Sequence, residues 1–387
     1  MRVVSVLLLL FCTVVSFSAD TGFINVADYG AVPNDNRCDA DAISKAVAAA
    51  KRIELRPGSY VEVSRGLYFP PGVYDISRTV KCHKGLALFS NPGKAILRAK
   101  ADADGNLPDV MFEFFSYTNS VRNLKFLGGK TQLLFTNPNI NQSTVEISSC
   151  EFLYATGIAI KAVPSGKADH LSMLLTIRNC KFLSNRQCME TYCDYTVLND
   201  CWVEVSQPMM IDGPVFVNRA GHLFFDRVMG IPCADKSKGI KNLENCRWVD
   251  NYSSFTAVNS RFGAEGAGIP VVYQYEPVSV PYPHVFKGGT VDIRSSYVFT
   301  GSQRRKNACV IMLYGLPQFV VFDANIGPAN NALFRYGENY SPTAMIEKLK
   351  RSKKNTLVKY VIGHNLVFPG QLEKTVPEEL KQFIRQK

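Results

Sequence analysis

The sequence predicts an all-β solenoid, a single-stranded parallel β-helix with an N-terminal capping helix and short C-terminal helices. Two observations predict this fold. First, short strand-like segments share one pattern, in which alternating apolar residues end in a polar residue, a small residue and, two positions on, an aromatic residue. Second, convincing helical patterns, which an α/β protein needs between its strands, occur only at 39–52, 341–352 and 376–385.

The spacing of the repeated pattern is the spacing of coils in a solenoid. Its clearest copies are the segments 145–152, 175–182 and 197–202. Their small residues Cys150, Cys180 and Cys201 are 30 and 21 residues apart, and Cys246 lies 45 residues further on. Because coils bury their apolar faces only by stacking, equivalent positions lie above one another. We therefore expect these four cysteines to form an interior ladder rather than disulfides, although the even count of ten outside the first 18 residues permits disulfides.

One position conflicts with a regular coil. Ser260 carries the same local pattern as Cys246 but follows it by only 14 residues, which is too few for a full coil. One of the two must therefore be out of register, or the coil is irregular there.

The first residues predict export. Met1 and Arg2 form a short positive end, residues 3–15 are almost wholly apolar, and small residues follow at the positions that a signal peptidase inspects. We predict a signal peptide at 1–18, a secreted or periplasmic protein, and no membrane span after signal removal. A membrane anchor is the alternative, and lipoprotein processing at Cys12 is a weaker one because bulky Phe11 precedes it.

The remaining chain shows no linker, so we predict one β-helix domain at 19–370 and a C-terminal helical tail at 371–387. The net charge of +11 is unevenly placed, with a cationic cluster at 348–359. This positive charge is compatible with an acidic binding partner but does not by itself predict one. We expect no nucleic-acid partner, because the chain is exported and lacks a binding motif. Zinc is not expected either, since Cys188 and Cys193 have no second close cysteine pair or histidine pair.

Two N-terminal motifs resemble those of the pectate-lyase-like superfamily. They are the segments 24–31 (INVADYGA) and 38–43 (CDADAI), followed by 67–75 (LYFPPGVYD). The resemblance implies a right-handed parallel β-helix whose open end is covered by the helix, and a polysaccharide as partner. Relatives include glycosidases, lyases, epimerases and adhesive proteins, and the fold selects none of these. Gly221-His222-Leu223 matches only the start of the Gly-His-Gly signature of polygalacturonases, so a strict polygalacturonase is not expected.

A pair of carboxylates is the leading candidate for chemistry. Strands at 157–161, 188–192 and 208–212 fall on successive coils, and alternation leaves Glu190 and the column Lys161, Tyr192 and Asp212 facing outward. Glycoside hydrolysis commonly uses two carboxyl groups roughly 5 to 10 Å apart. Neighbouring coils are about 4.8 Å apart. We therefore expect Glu190 and Asp212 to be catalytic and Lys161 and Tyr192 to bind substrate; an ordinary solvated face is the alternative.

Two other groups of residues are further candidates. His222 is a candidate catalytic residue, and a lyase would use it with Lys161 and Arg219. Calcium is a candidate cofactor only for a lyase, and no other cofactor or metal is expected. The glycine-rich loop at 261–268 carries Glu265 as a reserve acid. The tyrosines that follow it offer flat faces for sugar rings: Tyr273, Tyr275, Tyr282 and Tyr314.

The sequence thus favours a secreted glycosidase acting on a complex polysaccharide. A polysaccharide lyase acting on a uronate-containing glycan is the second possibility, and a non-catalytic glycan-binding or surface β-helix is the third. The oligomeric state is left open.

Overall fold

From the strand Gly66–Phe69 to the strand Phe319–Asp323, every third strand joins the same sheet. The structure is a computed structural model that describes residues 22–386, except 57–58, 94, 116–117, 138–142, 166–170, 207–212, 234–245, 264–268, 277–288, 299–308, 316, 328–331, 339, 342, 344–345, 348–358, 364 and 366–375. Three long sheets contain 13, 10 and 9 strands, and strands within each sheet pair in parallel. Each coil therefore contributes one strand to each side, and the predicted parallel β-helix is confirmed.

The thirteen-strand sheet runs the whole length of the described chain. Its strands are Phe23–Asn25, Gly66–Phe69, Ala87–Ser90, Thr118–Arg122, Ser143–Ser148, Leu171–Arg178, Cys193–Asn199, His222–Asp226, Ser254–Val258, Thr290–Arg294, Phe319–Asp323, Lys359–Ile362 and Ile384–Gln386.

The ten-strand sheet carries the site described below. Its strands are Val80–Cys82, Val110–Phe115, Thr131–Asn137, Ile158–Pro164, Gln187–Thr191, Pro214–Asn218, Arg247–Asn251, Val272–Tyr275, Cys309–Tyr314 and Ala332–Tyr336.

The nine-strand sheet completes the coil. Its strands are Gly72–Ile76, Ala95–Ala99, Leu124–Leu127, Glu151–Leu153, Lys181–Leu183, Trp202–Ser206, Met229–Cys233, Arg261–Phe262 and Tyr297–Val298.

Equivalent side chains form files along the interior. In the thirteen-strand sheet, Leu88, Val121, Ile147 and Ile177 are successive register partners, and all are fully buried. In the nine-strand sheet the rings of Phe126, Phe152 and Phe182 stack at centroid distances of 5.2 and 5.1 Å. Burying a large apolar side chain contributes about 1.5–3 kcal/mol, so these files stabilise the stacking of the coils.

A single left-handed residue turns the chain from the thirteen-strand sheet to the nine-strand sheet. Asn123, Asn179 and Asn259 occupy this corner with φ of 56°, 51° and 51°. Asparagine tolerates this conformation better than most residues. The corner explains why the repeated sequence pattern has a polar residue just before the small residue.

The small residue after the corner forms the predicted ladder for three of the four cysteines. The backbone N–H of Cys150 donates to the sulfur of Cys180 at 3.4 Å, and Cys201 continues the file. All nine cysteines whose side chains the structure describes are free thiols.

The prediction that Cys246 belongs to this ladder is wrong. Cys246 precedes the strand Arg247–Asn251 in the ten-strand sheet, whereas the ladder continues through Val228 to Ser260, whose hydroxyl accepts from the Val228 N–H at 3.2 Å. The conflict between Cys246 and Ser260 is therefore resolved in favour of Ser260.

The N-terminal cap matches the prediction closely. The strand Phe23–Asn25 leads into a 3-10 turn at Val26–Tyr29 that ends at Gly30, where φ is 92°. The helix Ala40–Ala50 buries one face against the first coils through Ile43, Ala46 and Val47. The helix ends two residues earlier than predicted because an antiparallel hairpin, Lys51–Arg56 with Ser59–Ser64, begins there.

The C-terminal end differs from the predicted helix at 376–385. A single helical turn, Glu378–Lys381, is followed by the strand Ile384–Gln386, which pairs with Lys359–Ile362. The strand lies at the end of the thirteen-strand sheet, where backbone pairing outweighs the helical preference of the sequence. The predicted helix at 341–352 and the signal peptide lie largely or wholly outside the described residues. Among the described residues, no helix has the length and apolar character needed to cross a membrane.

Candidate functional site

Glu190 lies at the centre of a charged cluster on the outer face of the ten-strand sheet. It belongs to the strand Gln187–Thr191, and its side chain is 13% exposed. Arg219 donates from Nε to a Glu190 carboxylate oxygen at 3.0 Å, and Lys161 Nζ lies 3.5 Å from the other oxygen. Lys161 is the direct register partner of Glu190 on the preceding coil. Tyr192 lies beside them, and burial and the Glu190 charge raise its pKa.

A second carboxylate lies two coils further along the same file. Glu190 pairs in register with Val217, which pairs with Asp250, so both acids belong to the same row of the outer face. Asp250 is only 5% exposed, and Arg247 donates to both of its oxygens at 2.6 Å. Burial raises the pKa of Asp250, and the guanidinium of Arg247 opposes this effect without cancelling it.

Cationic and aromatic side chains form a second row beside the acids. The residues that follow or end five successive strands are Tyr192, Arg219, Tyr252, Tyr275 and Tyr314. The Arg219 guanidinium lies 4.6 Å from the centre of the Tyr252 ring. Tyr252 stacks on Tyr275 at 4.4 Å, and Tyr275 stacks on Tyr314 at 5.2 Å. These contacts hold the row rigid, since stacked rings and cation–π pairs restrict side-chain rotation.

An amide ladder lies directly beneath the two rows, inside the coil. Asn218, Asn251 and Gln274 are register partners and are fully buried. The Asn218 amide donates to Asn251 Oδ1 at 2.8 Å, and the Asn251 amide donates to Gln274 Oε1 at 2.7 Å. Because a buried amide is costly to leave unpaired, the ladder fixes which residues are neighbours on the outer face.

The structure brings several of the predicted site residues together. Glu190, Lys161 and Tyr192 share the outer face, but Lys161 stacks on Glu190 and not on Tyr192, so the predicted column was shifted by two residues. Tyr275 belongs to the row of tyrosines. Tyr273 pairs in register with Asp250 and is 6% exposed, with the Arg247 guanidinium 4.8 Å from its ring centre.

Other predicted residues lie elsewhere. Asp212, Glu265 and Tyr282 fall outside the described residues. His222 belongs to the strand His222–Asp226 of the thirteen-strand sheet, so it faces a different side of the coil from Glu190. Its Nε2 shares a hydrogen bond of 2.8 Å with the Thr256 hydroxyl, and burial lowers its pKa.

Sequence reasoning missed Asp250, Arg247 and Tyr252. The signal was a repeated triplet of acid, small polar residue and tyrosine, since Glu190-Thr191-Tyr192 and Asp250-Asn251-Tyr252 occupy equivalent positions on their strands. The repeated pattern instead predicts that the segment around Arg247 belongs with the ladder of cysteines.

The outer face therefore offers two acids, several cations and a stacked aromatic row, a set suited to binding and acting on a polar chain molecule. Within the described ranges, no group of three or more histidine, cysteine or acidic side chains is arranged to hold a metal ion.

Fold and site together define a parallel β-helix protein with an acid pair and a tyrosine row on one outer face. Residues 23–209 match the family described as "Rhamnogalacturonase A/epimerase, pectate lyase-like". The predicted resemblance to the pectate-lyase-like superfamily is thereby confirmed. No curated protein sequence matches the chain.

A comparison with solved structures finds similarities at low sequence identity. The Streptococcus pneumoniae surface adhesin PfbA has a TM-score of 0.44 and 10% identity over 89% of this chain and 87% of its own. The catalytic unit of an alpha-1,3-glucanase from Streptomyces thermodiastaticus has a TM-score of 0.45 and 11% identity, over 89% of this chain and 68% of the glucanase chain. A mannuronan C-5 epimerase A-module from Azotobacter vinelandii has a TM-score of 0.38 and 11% identity, over 82% of this chain and 98% of the epimerase module.

Proposed function

We propose that the protein is an exported carbohydrate-active enzyme that cleaves glycosidic bonds of a complex polysaccharide by hydrolysis. The observation that carries this proposal is the pair Glu190 and Asp250, two acids on one outer file of the ten-strand sheet. The match of residues 23–209 to a family described by rhamnogalacturonase A and an epimerase supports a polysaccharide as the partner. The apolar segment at 3–15 supports export.

The two acids are suited to different roles. Asp250 is the proposed general acid, because burial raises its pKa toward the range in which a carboxyl group can donate a proton to the leaving oxygen. This role requires that bound substrate displace Arg247 from at least one Asp250 oxygen. Glu190 is the proposed base, and its hydrogen bond from Arg219 holds the carboxylate in position. The proposed reaction uses no metal ion or cofactor.

The spacing of the acids favours inversion at the anomeric carbon. Two coil steps of about 4.8 Å place the Cα atoms of Glu190 and Asp250 about 10 Å apart. Inverting glycosidases hold their carboxyl groups about 6.5–9.5 Å apart, whereas retaining enzymes hold them about 5–5.5 Å apart. Measured between backbone positions, two coil steps exceed the spacing of a retaining pair. We therefore expect Glu190 to act as a base on a water molecule that attacks the sugar, rather than to attack the sugar directly.

The tyrosine row suits a sugar chain that lies along the coil axis. Tyr252, Tyr275 and Tyr314 stack on one another over three successive coils, so their outer edges form one continuous surface. Sugar rings present apolar C–H groups that pack on aromatic side chains, while Lys161 and Arg219 can donate to hydroxyl or carboxylate oxygens.

The test uses three conservative variants and a panel of polysaccharides. E190Q and D250N remove one acid each, and E151Q, on the nine-strand sheet, is the control because Glu151 is also ion-paired at an outer face. We expect the wild-type protein to release new reducing ends without the ultraviolet absorbance of unsaturated uronates, and NMR to show a product with inverted configuration. We expect the turnover rate of E190Q and of D250N to be lower by at least about 100-fold. Each variant must keep the wild-type circular dichroism spectrum. A fully active E190Q contradicts the proposal.

Two other outcomes identify the alternatives. Absorbance that appears together with reducing ends, particularly if it requires calcium, indicates a lyase. If no substrate yields product but the protein still binds a polysaccharide, it is a glycan-binding protein. One observation favours this alternative: arginine side chains donate hydrogen bonds to the carboxylates of both Glu190 and Asp250.

A further inference from the structure

A groove lies on the thirteen-strand sheet, on a different side of the coil from Glu190 and Asp250. It has a volume of about 330 Å³ and crosses the strands Thr118–Arg122, Ser143–Ser148 and Leu171–Arg178. Two arginines, one glutamate, one leucine and several hydroxyl groups line it: Arg122, Arg178, Glu146, Leu174, Thr144 and Thr176.

The arginines of the groove are available to a ligand. Arg178 is exposed and makes no ion pair within the part of the chain that the structure describes. Arg122 meets Glu146 at 3.4 Å, with side chains 53% and 44% exposed. An exposed pair of this kind contributes about 0–1 kcal/mol, so a stronger anionic partner can replace Glu146.

Exposed apolar and aromatic side chains extend the groove along the sheet. Leu174, 41% exposed, pairs in register with Tyr195, 47% exposed, and Tyr195 pairs with His222. In the other direction Arg122 pairs with Phe89, whose ring lies 5.6 Å from that of Tyr68. These residues lie on two files of the sheet, four positions apart along the strands: Tyr68, Phe89, Arg122 and Arg178 on one, and Leu174, Tyr195 and His222 on the other. Together the two files cross seven strands, or about 29 Å at a strand spacing of about 4.8 Å.

We propose that this face is a second binding site, for an anionic polysaccharide that lies along the coil axis. Arginine is suited to carboxylate or sulfate groups, the threonine hydroxyls to sugar hydroxyls, and the flanking aromatic residues to sugar rings. The net charge of +11 favours the approach of such a chain. The site would hold a long polymer while another segment of it reaches the ten-strand sheet, but binding here does not require that the protein be a hydrolase.

The test measures binding by the E190Q/D250N protein, so that turnover plays no part. Two probes separate the sources of negative charge, a long oligogalacturonate for carboxylates and dextran sulfate for sulfates, with a neutral xylo-oligosaccharide for comparison. The variant R178E reverses one charge in the groove. The control K181E makes the same charge change three residues later on the nine-strand sheet, where Lys181 is 58% exposed.

We expect one or both anionic probes to bind. R178E should weaken the affinity by at least about tenfold, because it removes a charge-assisted contact. K181E should have little effect on the affinity. A second variant, Y195A, should weaken binding without changing the net charge. The proposal is overturned if neither probe binds, if R178E and K181E weaken binding equally, or if Y195E abolishes a concentration-dependent dimer, since the face would then be an interface between two copies.

Discussion

Replacing Asn251 by alanine should destabilise the protein strongly, because this residue is the central rung of the buried amide ladder. Its amide donates to Gln274 Oε1 at 2.7 Å and to the Ser253 carbonyl at 2.8 Å, and its Oδ1 accepts from Asn218 at 2.8 Å. All of these groups are buried, so water cannot replace the lost partner.

The magnitude follows from what the substitution leaves unpaired. Asn218 keeps its second bond, to the Ser254 carbonyl at 2.8 Å, whereas Gln274 Oε1 has no other donor among the described residues. A buried polar group left without a partner costs about 1–3 kcal/mol, and each additional lost hydrogen bond costs about 1 kcal/mol. We therefore expect N251A to lower the free energy of unfolding by about 2–4 kcal/mol.

Urea unfolding followed by far-ultraviolet circular dichroism measures this change. The matched control is N91A, because exposed Asn91 donates a hydrogen bond to the Tyr68 hydroxyl at 3.0 Å. Its loss should change the free energy of unfolding by less than about 0.5 kcal/mol. In the double variant N251A/Q274M the orphaned oxygen is gone, so the second substitution should cost less than it does alone. A free energy for N251A within about 0.5 kcal/mol of wild type would refute the reasoning.

Three further predictions concern the core, the thiols and the cap. F152A should lower the free energy of unfolding by about 3–5 kcal/mol in urea titrations, because Phe152 is fully buried between two stacked rings. Peptide mapping after brief maleimide treatment at neutral pH should find exposed Cys38 modified and Cys180 intact, since burial raises the pKa of Cys180; early labelling of Cys180 would contradict the ladder. Burial opposes but does not outweigh the cations Arg98 and Lys100, which lower the pKa of Asp75. Its stabilising contribution is therefore complete above the unfolded value of about 3.9 and lost as the pH falls below it, so D75N should show a flatter decline in unfolding free energy below about pH 4 than wild type.

The fold was predictable because its defining signal lies within single short segments. A strand, a left-handed corner, a small residue and an aromatic residue are consecutive in the sequence around Cys150 and again around Cys180. Each segment satisfies its local geometry alone, so two clear copies at coil spacing were enough to predict stacking. The N-terminal helix was predictable for the same reason, since its apolar period lies within one run of residues.

Register between distant coils was not predictable in the same way. Cys246 and Ser260 have similar neighbours, and only the pairing of whole strands decides that Ser260 follows Val228 in the ladder. The connections between coils vary in length, so counting residues does not reveal which outward side chains become neighbours. This is why the sequence places Glu190 and Lys161 on one face but does not bring Asp250, 60 residues after Glu190, onto it.

A parallel β-helix allows only certain separations between the groups of a site that lies along its axis. Side chains on one outer file are separated by whole coil steps of about 4.8 Å. The backbone positions of an acid pair are therefore one step or two steps apart, and intermediate separations are not available. Two acids one step apart on a file would have the spacing of a retaining glycosidase, whereas the two steps between Glu190 and Asp250 exceed that spacing. The interior ladder of Asn218, Asn251 and Gln274 maintains that count of steps, because slipping one coil would leave buried amides unpaired. Hydrogen bonds inside the coil thus determine the separation of the acids on the outer face. A substitution that breaks those bonds should change this separation even though the substituted residue is not part of the outer face.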